Sequence, residues 1–513
     1  MNIKKIYLQS IYIFFIGVFT SFSLPPYNFW IINFLTFSLL LIILVKNSEK
    51  NLKAFFFYGY SFGFGYFLSS LYWIPFSLSY DENFKSFIPI AIIIIPAFLS
   101  LFYALAFILF KICINKNKIF LNILIFSLSL SFFEFLRGNI LSGFPWNLFA
   151  YSFSENIYLI QINSLIGVYA FNMIVILVFS APSIIFLNRN RQNLSVFILI
   201  LIIFISLHVF GFLKIKNFNN TEDQILSNKI KIISTNIPIE RFYSNIDDEE
   251  ILLKLINLSD PNFEENTIFI WPEGVIPNLN LDDLRYEYNY LFEKSFSKNH
   301  TIIFGINDKE ISGGSEKFYN SLSIIDNETN ILYKYYKNKL VPFGEFLPLE
   351  NFLSRLGLKS LTNNYQSYSA GKKRELFSIK DDINIKILPL ICYEIIYSGS
   401  LSKEKDYNLI INISEDGWFG NSVGPSQHFV HTIFRSIEYG KYTLRSANNG
   451  TSAIINPVGM VTDKINNNEG SILLAEIKEV DSTLFSKYGN KIYFLLILIY
   501  IFLIISFTKL KNE

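Results

Sequence analysis

The chain has 513 residues, 51% of them hydrophobic, and a formal net charge of +2 at pH 7. Soluble globular proteins carry about 25% charged residues. This chain carries 17%, and the deficit is concentrated in the first 214 residues, where Phe and Ile dominate. The composition argues against a wholly soluble protein. The small net charge carries no information about a nucleic-acid partner, but we find no basic patch interleaved with aromatic residues and expect no such partner.

Hydrophobic stretches long enough to cross a bilayer, about 20 residues each, recur through the N-terminal part and once near the end of the chain. The first lacks a small-x-small cleavage site and runs into further spans, so we do not interpret it as a cleaved signal peptide. We predict a transmembrane domain over 1–213 and a C-terminal transmembrane helix with a cytoplasmic tail over 489–513. The spans lie at 7–23, 29–45, 54–74, 88–110, 119–136, 158–186, 194–213 and 490–508.

Positive charges in the short loops indicate the orientation, because such charges collect on the cytoplasmic side. They alternate at every crossing, which predicts that both termini are cytoplasmic and that residues 214–489 lie on the outer side. The two cysteines, Cys113 and Cys392, are then on opposite sides, so we expect no disulfide. The predicted cytoplasmic loops contain Lys4, Lys5, Lys46, Lys50, Lys53, Lys111, Lys116, Lys118, Arg189, Arg191, Lys509 and Lys511, and the alternate loops only Lys85 and Arg137.

Two predicted outer loops have an unusual composition. Residues 22–30 combine prolines with aromatic residues, and residues 134–146 place Glu134 and Arg137 one helical turn apart. The first interpretation is an aromatic belt at the membrane interface together with a local ion pair. The second is a site for a lipid head group. We favour the first interpretation.

The hydrophobic period changes after a polar segment, 214–228, that we interpret as a linker. Short β-branched runs then alternate with charge-rich amphipathic segments at 246–259 and 281–298. This alternation predicts a layered α/β domain, which we place at 229–488. The predicted strands lie at 229–237, 267–271, 301–306, 320–325, 385–392 and 407–413, with a last pair around 451–462.

Three segments of this domain place a reactive side chain just beyond a predicted strand. The run 268–273 ends on Glu273 after a proline, and the run 385–392 ends on Cys392. Between them, Lys337 is followed eight residues later by a second carboxylate, Glu345. Each type of residue has an ordinary alternative, since a free cysteine usually packs in a core and a single glutamate is usually solvated.

Together, these three residue types are sufficient for acyl transfer. A thiol attacks as a thiolate, so a base must remove its proton, and a carboxylate can be that base when burial raises its pKa. A lysine can stabilise the anionic tetrahedral intermediate. The alternative for the lysine is an ordinary basic face formed by Lys334, Lys337 and Lys339.

The order of these residues and the motifs around them resemble the nitrilase superfamily. Combined with the N-terminal spans, they closely resemble the family of bacterial apolipoprotein N-acyltransferases, over essentially the whole chain. The motifs that carry the resemblance are WPEG (271–274), KNKLVPFGEF (337–346), ICYE (391–394), FLRG to GFPW (135–146), STNIP (234–238), SEDGWFGNSVGPSQH (414–428) and LRSANNG (444–450).

The resemblance implies an αββα sandwich on the outer face of the membrane. It also implies roles for individual residues: Glu273 as general base, Lys337 as stabiliser of the oxyanion and Cys392 as nucleophile. Further positions match supporting carboxylates, Glu345 and Glu394, and substrate-contacting aromatic residues, Trp418, Tyr393 and Phe343. The chain departs from the family pattern where Phe242 and Tyr243 replace a tryptophan and Lys339 replaces a histidine.

The reaction implied by the resemblance is ping-pong. Cys392 takes the sn-1 acyl chain from a phospholipid such as phosphatidylethanolamine, and the thioester is attacked by the α-amine of a diacylglyceryl-cysteine at the N-terminus of an apolipoprotein. We expect a monomer in the bacterial inner membrane, with the catalytic domain on the periplasmic side. We expect no cofactor and no metal, because the four histidines, which we interpret as structural, lack partners at ligand spacing: His208, His300, His428 and His431.

Two short apolar segments, 340–349 and 417–420, are too short to span a membrane. We hypothesise that they form mobile flaps that dip toward lipid, with ordinary loop packing as the alternative. The polar stretch 356–376 is predicted to be a flexible loop beside them.

Two other functions remain open on sequence alone. One is a membrane-tethered amidase of the nitrilase type with water as acceptor, although a tether needs only one span. The other is a non-catalytic transporter or lipid-binding protein. The scarcity of charge inside the spans argues against a transport path, and the intact Glu273, Lys337 and Cys392 argue against lost catalysis.

Overall fold

The structure is a computed structural model that describes residues 3–80, 82, 84–115, 118–243, 246–312, 315–348, 367–379, 385–402, 404 and 406–509. The chain divides into two compact units. The helical unit comprises Met1–Asn217, Ser422–Val430 and Thr483–Glu513, and the α/β unit comprises Phe218–Asn421 and His431–Ser482. The segment Ser422–Val430, assigned from the sequence to the α/β domain, therefore groups with the helices. Composition could not reveal this because the segment is polar and lies inside the α/β part of the sequence.

The helical unit has a helix at each predicted span. Within the described residues, five apolar segments are long enough to cross a membrane by length and composition: Lys85–Cys113, Ile119–Asn139, Leu159–Leu187, Arg191–Asn219 and Lys491–Lys509. Shorter apolar helices lie at Ile6–Ser21 and Ile32–Lys46. The predicted multi-pass helical domain is confirmed at this level. The helices before the α/β unit are α1 (Ile3–Ser21), α2 (Ile32–Lys46), α3 (Leu52–Ser70), α4 (Ile88–Cys113), α5 (Ile119–Asn139), α6 (Asn163–Ser180), α7 (Pro182–Leu187) and α8 (Arg191–Asn219).

Glycines allow the backbones of α1 and α3 to approach each other closely. A Cβ added at Gly17 of α1 would lie 2.2 Å from the Phe62 carbonyl oxygen of α3, and one at Gly65 would lie 2.1 Å from the Phe14 carbonyl oxygen. Small residues at helix interfaces are a common means of close packing in membrane domains, where apolar surface alone does not drive helices together. We infer that α1 and α3 pack as a closely fitted pair.

The Glu134 and Arg137 side chains are buried inside the helical unit. They form an ion pair with both side chains fully buried. Tyr103 also donates to the Glu134 carboxylate, and Arg137 donates to the carbonyl of Phe144. This arrangement agrees with the favoured interpretation of a local ion pair and leaves neither charge open to a lipid head group.

The described part of the α/β unit contains two six-stranded sheets. One has the order β12-β1-β2-β3-β4-β5 and the other β11-β10-β9-β8-β7-β6. In each sheet three neighbouring strands are parallel, β1 to β3 and β7 to β9, and the outer pairings are antiparallel. The strands are β1 (Asp223–Ser234), β2 (Thr267–Ile270), β3 (His300–Ser312), β4 (Ser315–Ile325), β5 (Ile331–Tyr336), β6 (Phe377–Ser378), β7 (Lys386–Ile391), β8 (Leu409–Glu415), β9 (Tyr442–Asn448), β10 (Thr451–Ile455), β11 (Val461–Asn466) and β12 (Gly470–Lys478).

Helices alternate with the strands along the chain, as expected of an αββα sandwich. The charge-rich amphipathic segment 246–259 contains one helix, whereas 281–298 contains two short helices divided at Tyr288. The later helices are α9 (Asp248–Ser259), α10 (Leu281–Glu287), α11 (Asn289–Ser295), α12 (Gly424–Tyr439), α13 (Leu484–Tyr488) and α14 (Lys491–Lys509).

The predicted linker at 214–228 is wrong for most of its length. Helix α8 continues to Asn219, and β1 begins at Asp223. The polar residues that suggested a linker are accommodated because β1 pairs with β12 from Asp223↔Lys478 onward and leaves much of its early part accessible. A half-exposed strand tolerates polar residues that a buried strand does not.

One core lies between the first sheet and helices α9 to α11. Helix α9 is amphipathic, with its first turn capped by the Asp247 side chain. The Trp271 ring is fully buried in this core, and its Nε1 donates to the Ser259 hydroxyl at 2.9 Å. Burying each large apolar side chain contributes about 1.5–3 kcal/mol, so this face supports the strand end that precedes Glu273. The buried residues of α9 are Ile251, Leu252, Leu255, Ile256 and Ser259.

Candidate active site

Cys392 stands at the end of a buried strand, as the sequence predicted. Strand β7 is apolar and almost wholly buried, and Cys392 begins the 3-10 turn Cys392–Ile396 that follows it. Its φ is +46°, a conformation that non-glycine residues adopt rarely and that often marks functional sites. The strand thus presents the thiol at a sharp turn, with the residue 8% exposed.

Glu273 is fixed by hydrogen bonds to both carboxylate oxygens. Its Oε1 accepts from Asn320 Nδ2 at 2.7 Å and from Lys337 Nζ at 3.2 Å. Its Oε2 accepts from the backbone N–H of Glu415 at 3.0 Å. A Cβ at Gly305 would lie 2.6 Å from the Glu273 Cα. Strand β3 can therefore pass behind Glu273 only because residue 305 lacks a side chain.

Lys337 immediately follows β5 and is buried between two carboxylates. Its Nζ lies 3.2 Å from Glu273 Oε1 and 2.9 Å from Glu345 Oε1. Burial lowers the pKa of the Lys337 ammonium, but Glu273, Glu345 and Cys392 raise it, and the result is a pKa well above its ordinary value. The side chain therefore stays positively charged inside the domain, as stabilisation of an oxyanion requires.

Asn320 is a site residue that the sequence reasoning missed. Its Nδ2 donates both to Glu273 and, at 2.9 Å, to Glu345 Oε1. The other oxygen of Glu345 accepts from the Val341 N–H at 2.8 Å. An amide that donates to two carboxylates holds them together around the lysine. The one signal in the sequence is a polar residue inside the apolar run of β4.

The Cys392 thiol is neutral in the resting site. Burial raises the pKa of this thiol, and Glu273 raises it further, whereas Lys337 lowers it. The net pKa lies above the ordinary value for cysteine. A base is therefore needed at the moment of attack, because the resting site holds little thiolate.

Glu394 joins the turn of Cys392 to the loop after Lys337. Its Oε2 accepts from the Ile391 N–H at 3.0 Å, and its Oε1 accepts from the N–H groups of Asn338 and Lys339 at 3.0 and 3.1 Å. Arg374 pairs with the same carboxylate at 2.7 Å. Glu394 therefore contacts the backbone on both sides, and the supporting role expected for it stays a prediction.

The three predicted substrate-contacting residues differ in their surroundings. Tyr393 is buried and packs edge-on against Tyr397, with ring centroids 5.5 Å apart. Trp418 is half-buried, and its ring packs against that of Phe242, with centroids 5.0 Å apart. Phe242, one of the two residues at the place where the family has a tryptophan, therefore contacts Trp418, which we expect near the substrate. Phe343 is 53% exposed, in a tight loop two residues before Glu345.

The motifs STNIP, SEDG and LRSANNG form a buried polar network behind the site. Thr235 of STNIP donates to Asn448 Oδ1 at 2.6 Å, and Asn448 Nδ2 donates at 2.7 Å to Glu415, which also pairs with Arg241. Arg445 pairs with Asp416 through two hydrogen bonds of 2.8 Å. The sequence signalled these motifs by resemblance alone. Their physical role is to fix β8, whose Glu415 N–H holds Glu273.

Among the described residues, no cluster of three or more His, Cys, Asp or Glu side chains is placed to hold a metal ion. His428 is buried and stacks on the Trp146 ring within the helical unit, with centroids 5.3 Å apart. Both cysteines lie in the described part of the chain and are free, Cys113 exposed and Cys392 buried.

The predicted flaps and loop have mixed outcomes. Most of 340–349 is described, as a tight loop closed between Val341 and Glu345, and 417–420 contains a short 3-10 turn. Their motion and lipid contact stay a prediction. Residue 349 and most of the predicted flexible loop, 356–366, lie outside the described residues.

Comparison with known proteins identifies both parts of the chain. A family described as "Apolipoprotein N-acyltransferase N-terminal domain" matches residues 16–181, and one described as "Carbon-nitrogen hydrolase" matches residues 286–484. A mutant amidase of the nitrilase superfamily from Nesterenkonia AN1 aligns with a TM-score of 0.35 at 9% identity, covering 51% of this chain and 94% of that one. This structural match is too weak to carry an argument.

Relatives named "Apolipoprotein N-acyltransferase" match nearly the whole length. The one from Rickettsia prowazekii is 33% identical, covering 97% of this chain and 98% of the relative. The one from Rhodopseudomonas palustris is 30% identical, covering 88% and 85%, and the one from Brucella suis is 31% identical, covering 92% and 88%.

Fold, site and comparisons together define a carbon–nitrogen hydrolase domain of the nitrilase type, joined to a domain of long apolar helices. This assignment confirms the fold class predicted from the sequence. The chain belongs to the apolipoprotein N-acyltransferase family, and the protein is an acyltransferase. That membership sets aside the alternative of a non-catalytic transporter or lipid-binding protein.

Proposed function

We propose that the protein transfers a fatty acyl chain from a membrane phospholipid, through a thioester on Cys392, to the N-terminal amine of diacylglyceryl-cysteine in apolipoproteins. The observation that carries the proposal is the buried cluster of Glu273, Lys337 and Glu345, in which Glu273 raises and Lys337 lowers the pKa of the Cys392 thiol. In a family of N-acyltransferases, a base, a cation and a thiol are the groups that such a transfer needs.

In the first half-reaction, Glu273 takes the thiol proton as sulfur attacks the carbonyl carbon of the sn-1 ester. The carbonyl oxygen becomes an oxyanion, which the Lys337 ammonium stabilises. The intermediate then collapses, the C–O bond to the glycerol breaks, and Glu273 returns the proton to the departing oxygen. The products are a thioester on Cys392 and a lysophospholipid.

In the second half-reaction, the α-amine of the acceptor attacks the thioester carbonyl. Glu273 takes a proton from the nitrogen, Lys337 again stabilises the oxyanion, and the C–S bond breaks. The sulfur leaves and recovers the proton, which restores the neutral thiol. The net change is one ester bond lost and one amide bond gained, with no oxidant, reductant, cofactor or metal required by the chemistry.

Both substrates carry acyl chains that lie in a bilayer, which supports a membrane location for the reaction. We place the protein in the bacterial inner membrane, with the α/β unit on the periplasmic side and both termini in the cytoplasm, acting as a monomer. Trp418, Tyr393 and Phe343 are proposed to contact the lipid portions of the substrates. A phosphatidylethanolamine-like phospholipid is the proposed donor.

The test is an acyl-transfer assay with the full chain in detergent, phosphatidylethanolamine, and a synthetic diacylglyceryl-cysteine peptide. We expect a triacylated peptide and lysophospholipid in equal amounts, and neither product with Cys392→Ser or Glu273→Gln. The carbon–nitrogen hydrolase match also fits a hydrolase with water as acceptor. Release of lysophospholipid and free fatty acid, without acylated peptide, would establish that alternative and overturn the proposal.

A further inference from the structure

The SEDG motif begins with a buried hydroxyl that the proposed reaction does not use. Ile391 and Ile413 are register partners on the parallel strands β7 and β8, so the next residues, Cys392 and Ser414, are neighbours at the carboxyl ends of the two strands. Ser414 is fully buried, and its side chain, placed beside the thiol, lowers the pKa of Cys392. The Asn412 amide also reaches the Cys392 carbonyl, at 3.4 Å.

The same hydroxyl has a second acceptor. Ser414 Oγ donates to Asp416 Oδ1 at 2.8 Å, and Asp416 is held by both of its oxygens on Arg445. A serine hydroxyl has one hydrogen and two lone pairs, and its hydrogen rotates to suit its surroundings. With a neutral thiol, S–H can donate to Ser414 Oγ while the hydroxyl hydrogen points to Asp416.

We propose that Ser414 is a positioning residue whose single hydrogen switches acceptor during the reaction. When Glu273 removes the thiol proton, the hydroxyl turns from Asp416 to the sulfur and donates to the thiolate. When the thioester is cleaved by the acceptor amine, the same donor stabilises the departing sulfur. Asp416 keeps its two bonds to Arg445 throughout, so the switch leaves no charge unpaired. The inference rests on the proposed nucleophilic role of Cys392.

Removing the Ser414 hydroxyl is expected to change the pKa of the Cys392 thiol. Glu273 and Asp416 disfavour the thiolate, Lys337 favours it, and the Ser414 side chain lowers the pKa of Cys392. Loss of the hydroxyl leaves the three charges in place and removes one favourable contact. The thiol pKa is therefore expected to rise further, and the thiolate fraction at neutral pH to fall.

The test compares Ser414→Val with Ser414→Thr, two side chains of nearly equal shape of which the second keeps the hydroxyl. In the full chain carrying Cys113→Ser, the second-order rate of Cys392 alkylation by iodoacetamide is measured as a function of pH. We expect Ser414→Val to react roughly ten- to hundredfold more slowly at neutral pH, the range for loss of a hydrogen bond to a charged group. Ser414→Thr is expected to stay close to the parent.

A matched control separates the hydroxyl from general packing. Ser446 lies on the neighbouring strand β9, is equally buried, and donates to the Ile233 carbonyl at 2.7 Å. Ser446→Ala removes a buried hydroxyl without touching the thiol, and its alkylation profile is expected to match the parent. Equal rates for Ser414→Val and Ser414→Thr, whether both slowed or both normal, would overturn the inference. Ser414→Ala serves where the branched variants do not fold.

Alkylation also keeps this inference distinct from the proposed function. The alkylation rate depends only on the reactivity of the Cys392 thiol, so it remains informative even if acyl transfer proves not to use Cys392. In the transfer assay, Ser414→Val is expected to lower kcat with little change in KM, and Ser414→Thr to restore it. Transfer that persists in Cys392→Ala would refute the proposed function, whereas unchanged alkylation in Ser414→Val refutes only the role of Ser414.

Discussion

Lys337 and Cys392 illustrate how burial sets the chemistry of single residues in this protein. The ammonium is enclosed by Glu273 and Glu345 and keeps its charge. The thiol is enclosed in the same site and keeps its proton. In the proposed mechanism the cation is thus charged and the nucleophile neutral before the reaction, so catalysis depends on Glu273 as the base that removes the thiol proton.

Lys337→Met is expected to lower kcat by roughly 100- to 1,000-fold, the loss found when one oxyanion donor is removed. The control is Lys334→Met, on the strand β5 that precedes Lys337, which removes an ion pair of 2.7 Å with Asp308. The Asp308 carboxylate is buried but still accepts from the Tyr336 hydroxyl at 2.7 Å, so the control is expected to lose some stability and to keep near-parental kcat. Comparable losses in the acyl-transfer assay for the two variants would contradict the assigned role of Lys337.

The raised pKa of Cys392 predicts a pH-dependent stability. A thiol whose pKa is higher in the folded state keeps its proton where the unfolded chain has lost it. Its contribution to stability is complete below the unfolded thiol's pKa, about 8.5, and is lost as the pH rises above that value. The Tm of the parent is therefore expected to fall relative to Cys392→Ser as the solution becomes alkaline. A difference in Tm that is independent of pH would show that burial does not raise this pKa.

At the scale of elements, the site is assembled from the ends of strands that belong to both sheets. Glu273 follows β2, Lys337 follows β5, and Cys392 follows β7. Glu394 connects two of these ends through backbone N–H groups, and Glu415 of β8 supplies the N–H that holds Glu273. The positions of the reactive side chains therefore depend on backbone N–H groups of neighbouring strands and loops as well as on the side chains themselves.

Gly305→Ala tests this dependence. A Cβ at position 305 would lie 2.6 Å from the Glu273 Cα and 3.0 Å from Ile413 Cδ1, so β2 or β3 must move. Overpacking of this kind costs about 1–3 kcal/mol, and the displaced base is expected to lower kcat as well as Tm.

The control for Gly305→Ala is Ile306→Val on the same strand, which costs about 0.5–1.5 kcal/mol without approaching Glu273. Thermal unfolding and steady-state kinetics are measured on both. A Gly305→Ala variant with lowered Tm but parental kcat would show that the base tolerates displacement of its strand.

Much of this arrangement was predictable because the strand ends are marked by apolar runs that stop at a reactive residue. The runs before Glu273 and Cys392 are buried strands, as predicted. Asn320 could not be predicted, because its two acceptors lie 47 and 25 residues away in sequence. The same holds for the Arg241–Glu415 pair, whose partners are 174 residues apart. Local patterns show where a strand ends, but not which distant groups meet there.

At the scale of the whole molecule, the chain combines a helical unit with an α/β unit that contains the proposed active site. The helices at the predicted spans could be predicted from hydropathy. A helix satisfies the hydrogen bonds of its own backbone, as a segment that crosses a bilayer requires. The grouping of Ser422–Val430 with the helices did not follow from hydropathy, since it depends on tertiary contacts such as the Gln427 side-chain oxygen Oε1 accepting from Trp146 Nε1 at 2.9 Å.

The proposed orientation predicts opposite labelling of two single cysteines. Cys113 is exposed at the end of α4, and Tyr286 of the α/β unit is 91% exposed. With Cys392 replaced by alanine, a membrane-impermeant maleimide is expected to label Cys113 only after lysis of the cells. In a variant that also carries Cys113→Ser, Tyr286→Cys is expected to be labelled in intact cells whose outer membrane is permeable. The reverse pattern would invert the topology.

The most direct measurement of the central claim is the intact mass of the purified chain after incubation with one phospholipid of defined acyl chains. We expect a gain equal to one sn-1 acyl chain, absent from Cys392→Ala and lost when a diacylglyceryl-cysteine peptide is added. A protein that transfers acyl chains to the peptide while its own mass never changes, or that acquires the chain equally well without Cys392, would contradict a thioester on this residue.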